Sequence, residues 1–191
     1  MPPTFFTSDL HLSHKNIILY QPKERGHFRT ADGQFDIDAM NNEIIKRYNA
    51  VVSTEDTVWI IGDFKMRLKV EPPEPYVARL NGHKNLVIGN HDHILTKDKR
   101  LDWPATRAFW LAAGFENVYQ EYVLEHEGKK IYLAHAPVAK QFWKGADLML
   151  CGHIHSMWSK LPMEDSCVIN VGVDVSNLTP LTFDQLMKRD S

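Results

Sequence analysis

The sequence predicts an α/β fold, in which helices alternate with strands in the first half of the chain and strands dominate the second half. Short apolar runs that end near Gly, Pro, Asn or Asp recur along the chain and are typical of buried strands. Between the early runs lie segments whose apolar residues repeat at helical spacing. A chain of 191 residues suits one domain with a sizeable core, so we expect residues 1–191 to form a single domain.

Seven apolar runs are predicted as strands and five segments as helices. The strands are expected at residues 4–8, 57–61, 84–88, 121–127, 129–135, 147–150 and 168–173. The helices are expected at residues 17–20, at 36–48, in a short stretch that ends at 80, at 102–113 and at 180–188. Gly128 separates two adjacent strands and predicts a hairpin there.

Composition and charge narrow the function classes. The formal net charge of −2 gives no bulk attraction to nucleic acid, although a local basic patch stays open. Only two cysteines occur, Cys151 and Cys167, so reduced thiols in the cytoplasm are the simplest interpretation. The start of the chain has no signal-peptide pattern, and no apolar run approaches the length of a membrane span. We therefore expect a cytoplasmic protein without a membrane partner.

Polar side chains follow five of the predicted strands at the point where each strand ends. They are Asp9 and His11, Asp63, the run Asn90, His91 and Asp92, then His135, and finally His153 and His155. Side chains at the carboxyl ends of strands project into the crevice where α/β proteins place their sites. Each motif alone is also an ordinary polar turn, but random placement would not follow the strand ends so closely. Converging carboxylate, amide and imidazole groups predict a metal site, and these donors suit Mn²⁺, Fe²⁺, Zn²⁺ or Co²⁺.

The order of these motifs carries a family resemblance. Asp-x-His, Gly-Asp, Gly-Asn-His-Asp, a single His and Gly-His-x-His, in that order, resemble the calcineurin-like metallophosphoesterase superfamily. The motifs run from Asp9 to His155, and Asn170-Val171-Gly172 resembles the family's following strand. The resemblance implies a four-layer αββα sandwich of two mixed β-sheets flanked by helices, with a two-metal site at the sheet ends.

The resemblance also implies a role for each site residue. One metal ion would be held by Asp9, His11 and His155, and the second by Asn90, His135 and His153, with Asp63 bridging both. His91 corresponds to the family's catalytic histidine, and Asp92 would orient it and stabilise its charge. The cofactors would be two divalent transition-metal ions, with Mn²⁺ as the first choice and Fe, Zn, Co or Ni as alternatives.

The chemistry expected of such a site is hydrolysis of a phosphate ester. Two ions would clamp the phosphate, a bridging water would become a hydroxide that attacks phosphorus, and His91 would assist the leaving group. The expected partner is a small phosphodiester or phosphomonoester, including a nucleotide. A nuclease with the same site is the alternative, although nucleic acid is not favoured, and a non-catalytic metal-binding scaffold is a third hypothesis. The sequence leaves the oligomeric state open.

Several residues close to the motifs are candidates for binding the substrate phosphate. They are His14, Lys15, Lys65 and Arg67, each weighed against a salt bridge or a solvent-exposed position. The polar stretch 21–34, which contains Arg25, His27 and Arg29, is interpreted as a solvated surface loop, with a substrate-binding flap as the alternative. A structural or solvated position is expected for His83, His93 and His126, and a packing role for Cys151, Trp110, Trp143 and Trp158.

Overall fold

The computed structural model describes residues 2–68 and 70–189, and two five-stranded sheets form its framework. The first sheet contains β1 (Thr4–Thr7), β2 (Thr57–Ile61), β3 (His83–Val87), β4 (Asn117–Tyr119) and β10 (Leu181–Thr182). Their order across the sheet is β10-β1-β2-β3-β4, with β1 to β4 parallel and β10 antiparallel to β1. Thr7 lies opposite Ile60, and Ile61 lies opposite Val87, so the three central strands end at the same edge.

The second sheet is also mixed. It contains β5 (Tyr122–His126), β6 (Lys129–Leu133), β7 (Leu148–Cys151), β8 (Lys160–Pro162) and β9 (Cys167–Asn170), in the order β5-β6-β7-β9-β8. The three central strands run parallel, and both edge strands run antiparallel to their neighbours. Glu127 and Gly128 both have positive φ, at 49° and 74°, which is the backbone of a tight hairpin turn between β5 and β6. The predicted hairpin is confirmed.

Five helices accompany the sheets in the described ranges, namely α1 (Ile17–Tyr20), α2 (Ile37–Val51), α3 (Glu74–Val77), α4 (Trp103–Ala112) and α5 (Phe183–Met187). Single turns of 3-10 helix occur at Gly26–Phe28, Lys140–Phe142 and Val173–Val175. Asp36 caps α2 by accepting a hydrogen bond from the Ala39 N–H at 2.8 Å, and Asp102 caps α4 in the same way. Within residues 2–68 and 70–189, the structure contains no helix with the length and apolar character of a membrane span.

The apolar side chains form three layers of packing. Between the two sheets, Phe6, Trp59 and Val87 of the first sheet pack against residues such as Leu133 and Leu150 of the second. Helices α2 and α4 cover the outer face of the first sheet through a larger apolar cluster. Its fully buried side chains include Met40, Ile44, Tyr48 and Trp110. The prediction of two mixed sheets flanked by helices is confirmed.

The outer face of the second sheet has a thinner cover. A 3-10 turn and its following loop bring Trp143 and Ala146 against Tyr132, Met149 and Cys151. Trp110, Trp143 and Cys151 are fully buried and Trp158 packs at the margin, as expected from the sequence.

The main differences from the predicted elements are three short strands. Strands β4, β8 and β10 have only two or three residues each, too few to show an alternating apolar pattern in the sequence. The last helix starts at Phe183 rather than at residue 180 because Leu181 and Thr182 pair with β1. Thr182 then caps α5 with a reciprocal hydrogen bond to Gln185, so the strand passes directly into the helix.

Candidate metal centre

The structure brings the predicted strand-end residues together at one edge of the sandwich, in two adjacent clusters. Asp9, His11 and His155 form the first, here called the His11 cluster. Asp63, His135 and His153 form the second, here called the His135 cluster. Within each cluster, one ligand atom from every residue lies within 4.8 Å of the others. This spacing allows each cluster to hold one metal ion.

Asp63, a member of the His135 cluster, also faces the His11 cluster. Its Oδ2 atom is 3.5 Å from His11 Nε2 and 3.3 Å from His135 Nε2. Its Oδ1 atom accepts a hydrogen bond from the His91 N–H at 2.9 Å. Burial raises the pKa of the Asp63 carboxyl group, but His135 and His11 more than offset this and hold the pKa well below its usual range. One ionised carboxylate oxygen is therefore within reach of both clusters.

Buried ring nitrogens show that these residues fit a metal pair. In the described residues, both ring nitrogens of His11 and the Nε2 atom of His135 are buried without a hydrogen-bond partner. An unpaired buried polar atom is costly, and nearly all such atoms in proteins have a partner. Imidazole nitrogens beside carboxylate oxygens are suitable ligands for borderline divalent metals. The donor set therefore matches the metal dependence expected of the site.

The remaining imidazoles are oriented through their Nδ1 atoms. His135 Nδ1 lies 2.9 Å from the Ile61 carbonyl oxygen, and His155 Nδ1 lies 2.7 Å from Asp174 Oδ2. In metal-binding histidines, a carbonyl or carboxylate at one ring nitrogen fixes the tautomer and directs the other nitrogen at the metal. His153 differs, because its Nδ1 atom lies 3.1 Å from Asn90 Oδ1, an atom that is itself a candidate ligand.

The backbone at the site is strained. Five of the predicted ligands have positive φ angles, in the left-handed region that residues other than Gly rarely adopt. The angles are 56° at Asp9, 48° at His11, 55° at Asp63, 71° at His153 and 48° at His155. Such conformations cost about 1–3 kcal/mol each and concentrate at functional sites. Packing also constrains the site, because a Cβ atom on Gly152 would overlap Asp9 Oδ2 and Ser8 Oγ, and one on Gly89 would overlap Asp63 Oδ1.

The sequence model of the calcineurin-like phosphoesterase family matches residues 2–157, which is most of the chain. The chain belongs to the calcineurin-like phosphoesterase family. The family predicted from the order of the motifs is confirmed.

Similar proteins span almost the whole length of this chain. An uncharacterised protein from Methanocaldococcus jannaschii is 26% identical over 194 residues, which cover 98% of this chain and 91% of that protein. The Gene 66 protein of Mycobacterium phage D29 is 26% identical over 201 residues, with coverage of 95% and 93%. A solved structure of a protein of unknown function from Aquifex aeolicus is 24% identical, with a TM-score of 0.66 and coverage of 98% and 99%. That structure shows the same fold.

His91, the predicted catalytic histidine, lies beside Asp63 at the opening of the candidate metal centre. Its Nε2 atom is 4.0 Å from Asp63 Oδ2, and its ring is 37% exposed. The ring centroid is 5.4 Å from that of His11 and 6.1 Å from that of His14. His91 therefore faces the same space as the ligand atoms while staying open to solvent.

Asp92 does not have the position predicted for it. Its carboxylate is fully buried and accepts hydrogen bonds from the backbone N–H groups of Asp63, Phe64 and Gly89, at 2.7 to 3.0 Å. In the part of the chain that the structure describes, no hydrogen bond or ion pair joins it to the ring of His91. The expectation that Asp92 orients His91 is wrong. Asp92 instead ties the turn after β2 to the turn after β3, and so fixes the backbone of Asp63.

The candidates for phosphate binding divide into two groups. His14 and Arg67 stay near the site: His14 lies 5.1 Å from His11 between ring centroids, and Arg67 lines a cavity together with His91. Lys65 is fully buried, and its Nζ atom donates to Glu71 Oε2 and to the Met66 carbonyl oxygen, both at 2.9 Å. The placement of Lys65 at the substrate is therefore wrong. Lys15 lies over the ring of Phe35, 5.5 Å from its centroid.

Arg25 is a site residue that the sequence interpretation missed. It is fully buried rather than solvated, and its Nε atom donates to Asp174 Oδ1 at 2.7 Å. Its Nη2 atom donates to the Asp9 carbonyl oxygen at 2.7 Å and its Nη1 atom to the Leu10 carbonyl oxygen at 3.0 Å. Arg25 therefore holds the backbone of one candidate ligand, Asp9, and the carboxylate that orients another, His155.

The two other basic residues of segment 21–34 differ from Arg25. His27 is exposed, and Arg29 lies over the ring of Phe35, 5.1 Å from its centroid. Nothing in the sequence distinguishes Arg25 from Arg29. Asp174, in contrast, directly follows the predicted strand 168–173, so the strand-end pattern that identified the other site residues would also have found it.

Proposed function

We propose that this calcineurin-like phosphoesterase is a metal-dependent hydrolase of phosphate esters that uses two divalent ions. The observation that carries the proposal is the position of Asp63 Oδ2, within 4.0 Å of imidazole nitrogens of His11, His135 and His91. One carboxylate oxygen thus faces one imidazole of each cluster and the proposed catalytic histidine.

The chain's own residues would supply the ligands for the two ions. Asp9, His11 and His155 would hold one ion, Asn90, His135 and His153 the other, and Asp63 would bridge them. Bound there, two divalent ions neutralise the charge of a phosphate and lower the pKa of a water molecule. Mn²⁺ is the first choice for the metal, since oxygen and imidazole donors suit it and no thiolate takes part.

His91 would act at the leaving group. Its partly exposed ring can reach a phosphate ester placed over Asp63, whereas His11 and His135 are buried within the two clusters. A proton donated by His91 to the departing oxygen would avoid formation of a free alkoxide. His14, whose pKa falls to about 4 mainly because of burial, stays neutral near pH 7 and would offer a hydrogen bond rather than a positive charge.

A small ester is favoured over a nucleic acid as the substrate. The nuclease alternative depended on a basic surface loop, and Arg25 of that loop is buried in an ion pair with Asp174. The net charge of −2 offers no further attraction to a polyanion. The free buried cysteines Cys151 and Cys167 fit a reducing compartment, which supports the proposal of a cytoplasmic location.

Hydrolysis assays with purified protein and Mn²⁺ test the proposed function. Bis-p-nitrophenyl phosphate, p-nitrophenyl phosphate, cyclic nucleotides and single-stranded DNA are compared in parallel, with and without EDTA. We expect EDTA-sensitive hydrolysis of at least one small ester and loss of that activity in Asp63→Ala. Activity that survives EDTA, or binding of metal without hydrolysis of any ester, would contradict the proposal.

A further inference from the structure

Two cavities open beside the metal centre, one on each side of His93. The larger has a volume of about 770 Å³ and borders the His135 cluster at Asn90, His135 and His153. The smaller has a volume of about 330 Å³ and borders His91. His93 lines both cavities, so a molecule bound over the metal centre would extend into one on each side.

The larger cavity, here called the aromatic cleft, has mixed walls, with aromatic and aliphatic side chains beside polar ones. Trp103, Tyr119 and Tyr132 contribute aromatic rings, and Ile88 and Val138 contribute aliphatic surface. The cleft lies where the carboxyl ends of β3 and β4 face the amino end of β5 and the carboxyl end of β6. A planar group such as a nucleobase could enter the cleft and stack on one of these aromatic rings.

The charged groups of the aromatic cleft neutralise one another. Glu121 pairs with Lys144 at 2.5 Å and accepts a hydrogen bond from the Tyr132 hydroxyl. Burial lowers the pKa of His93 and so disfavours the charged form of its ring. Among the described residues that line the cleft, the Lys144 ammonium group is paired with Glu121 and is not left free for a second phosphate. Its polar atoms, including the exposed amide of Gln120, suit hydrogen bonds to an uncharged group with donors and acceptors.

The smaller cavity is mostly apolar and adjoins the proposed proton donor. Its aliphatic lining beside His91 consists of Met66, Leu68, Ile94 and Leu95, and Arg67 adds one cationic side chain. The leaving group must be close to the group that protonates it, so the cavity at His91 suits the leaving group. The aromatic cleft on the opposite side of His93 is then available for the ester group that stays on the phosphate.

We infer that the enzyme acts on phosphodiesters whose retained group is uncharged, planar and heteroaromatic, such as a nucleoside, and binds in the aromatic cleft. This inference rests on the proposed phosphoesterase function. It favours a diester over a monoester, since a monoester has only one organic group and would leave one cavity without an occupant. An alkyl chain would use neither the aromatic rings nor the hydrogen-bonding groups of the cleft.

A series of three diesters with one common leaving group tests the inference. Methyl, phenyl and thymidine-5′ p-nitrophenyl phosphate all release p-nitrophenolate. Each kcat/KM is divided by the rate of uncatalysed hydrolysis of the same diester, so that the remaining differences report on the retained group. With Mn²⁺ bound, we expect the thymidine diester to exceed the methyl diester by roughly tenfold or more. Equal values for the methyl and thymidine diesters would overturn the inference and leave the phosphoesterase function intact. If none of the three diesters is hydrolysed, that result would instead contradict the proposed function.

Val138→Trp places a bulky ring in the cleft, at a side chain that is 36% exposed in the parent protein. We expect it to reduce kcat/KM for the thymidine diester at least tenfold more than for the methyl diester, mainly through KM. Equal losses on all three diesters would overturn the assignment of the cleft to the retained group. Leu161→Trp, at an exposed position on β8 outside the cleft, is the matched control and should leave all three values unchanged. If Val138→Trp does not fold, Trp103→Ala tests the same wall and should cause the same selective loss.

Discussion

The His11 cluster and the His135 cluster offer similar donors but differ in what surrounds them. Asp9 and His11 are almost completely buried, and His155 is held by Asp174, which Arg25 holds in turn. In the His135 cluster, His153 is exposed and its Nδ1 atom rests on Asn90, a side chain that is also exposed. The first cluster is therefore fixed by residues that are not proposed ligands, whereas His153 of the second is oriented by Asn90, which is itself a proposed ligand.

The difference suggests that the two clusters bind their ions with different affinities. A cluster fixed by outside residues loses little freedom when it binds an ion, so the His11 cluster should hold its ion more tightly. The His135 cluster opens directly onto the aromatic cleft. Its more weakly fixed donors lie where a substrate would enter.

Asp63→Ala should have the largest effect, because Asp63 is shared and its loss affects both clusters. We expect the bound metal to fall from about two ions per chain to about none, with loss of esterase activity, since metal affinity depends on a preformed ligand set. Elemental analysis after gel filtration measures the metal content. Asp98→Ala, an exposed carboxylate outside the site, is the control. Full metal content in Asp63→Ala would show that neither cluster needs the shared carboxylate.

His91→Gln should come next, and it separates catalysis from metal binding. His91 belongs to neither cluster, so we expect both ions to remain bound while hydrolysis of an alkyl phosphodiester falls by roughly 10²–10⁴. With p-nitrophenolate as the leaving group the loss should be smaller, since that anion departs without a proton. His27→Gln, at an exposed histidine, should be fully active. Loss of an ion from His91→Gln would make His91 a ligand, and equal losses with both leaving groups would assign it to positioning or charge stabilisation.

Asp174→Asn should separate the two clusters from each other. It weakens the support of His155 but touches no residue of the His135 cluster. Removing such an outer partner typically costs about 10–100-fold in metal affinity. In an equilibrium Mn²⁺ titration, we expect only the tighter of the two binding steps to weaken. Asp56→Asn, a buried carboxylate that accepts the Ser53 N–H far from the site, controls for loss of a buried charge. Equal weakening of both steps would remove the proposed asymmetry.

Gly152→Ala should have a smaller effect, which lowers the stability of the protein and the metal affinity of the His11 cluster. The added methyl group would overlap Asp9 Oδ2 and Ser8 Oγ, and overpacking of this kind costs about 1–3 kcal/mol. We expect a lower urea midpoint together with weaker binding at the His11 cluster. Gly26→Ala is matched to it, since the nearest atom to its added Cβ would be Pro22 Cβ at 4.0 Å. Indistinguishable midpoints for the two variants would show that Asp9 can shift without cost.

The sequence predicts well where a local pattern decides the structure. Strand β2 has the predicted bounds because Thr57–Ile61 is a continuous apolar and β-branched run. The predicted metal ligands converge because strand direction places the carboxyl ends of parallel strands at one edge. The five left-handed φ values at the ligands were not predicted, since tertiary contacts rather than residue preference impose them.

The sequence fails where contacts between distant residues decide the structure. Arg25 and Asp174 are 149 positions apart, so the burial of this arginine cannot be predicted from its polar surroundings in the chain. Asp92 lies next to His91 in sequence but faces backbone N–H groups 28 and 29 positions away. Lys65 follows a site motif, yet Glu71 and a carbonyl oxygen occupy its ammonium group. Adjacency in sequence located the site but did not determine the role of each neighbour.

The claim that two metal ions share Asp63 is tested most directly by anomalous diffraction from crystals of the protein grown with Mn²⁺. We predict two anomalous peaks per chain, one among Asp9, His11 and His155 and one among Asn90, His135 and His153, with Asp63 between them. In a Mn²⁺ titration series, the peak in the His11 cluster should reach full height first. A single peak, peaks away from these residues, or earlier filling of the His135 cluster would contradict the account.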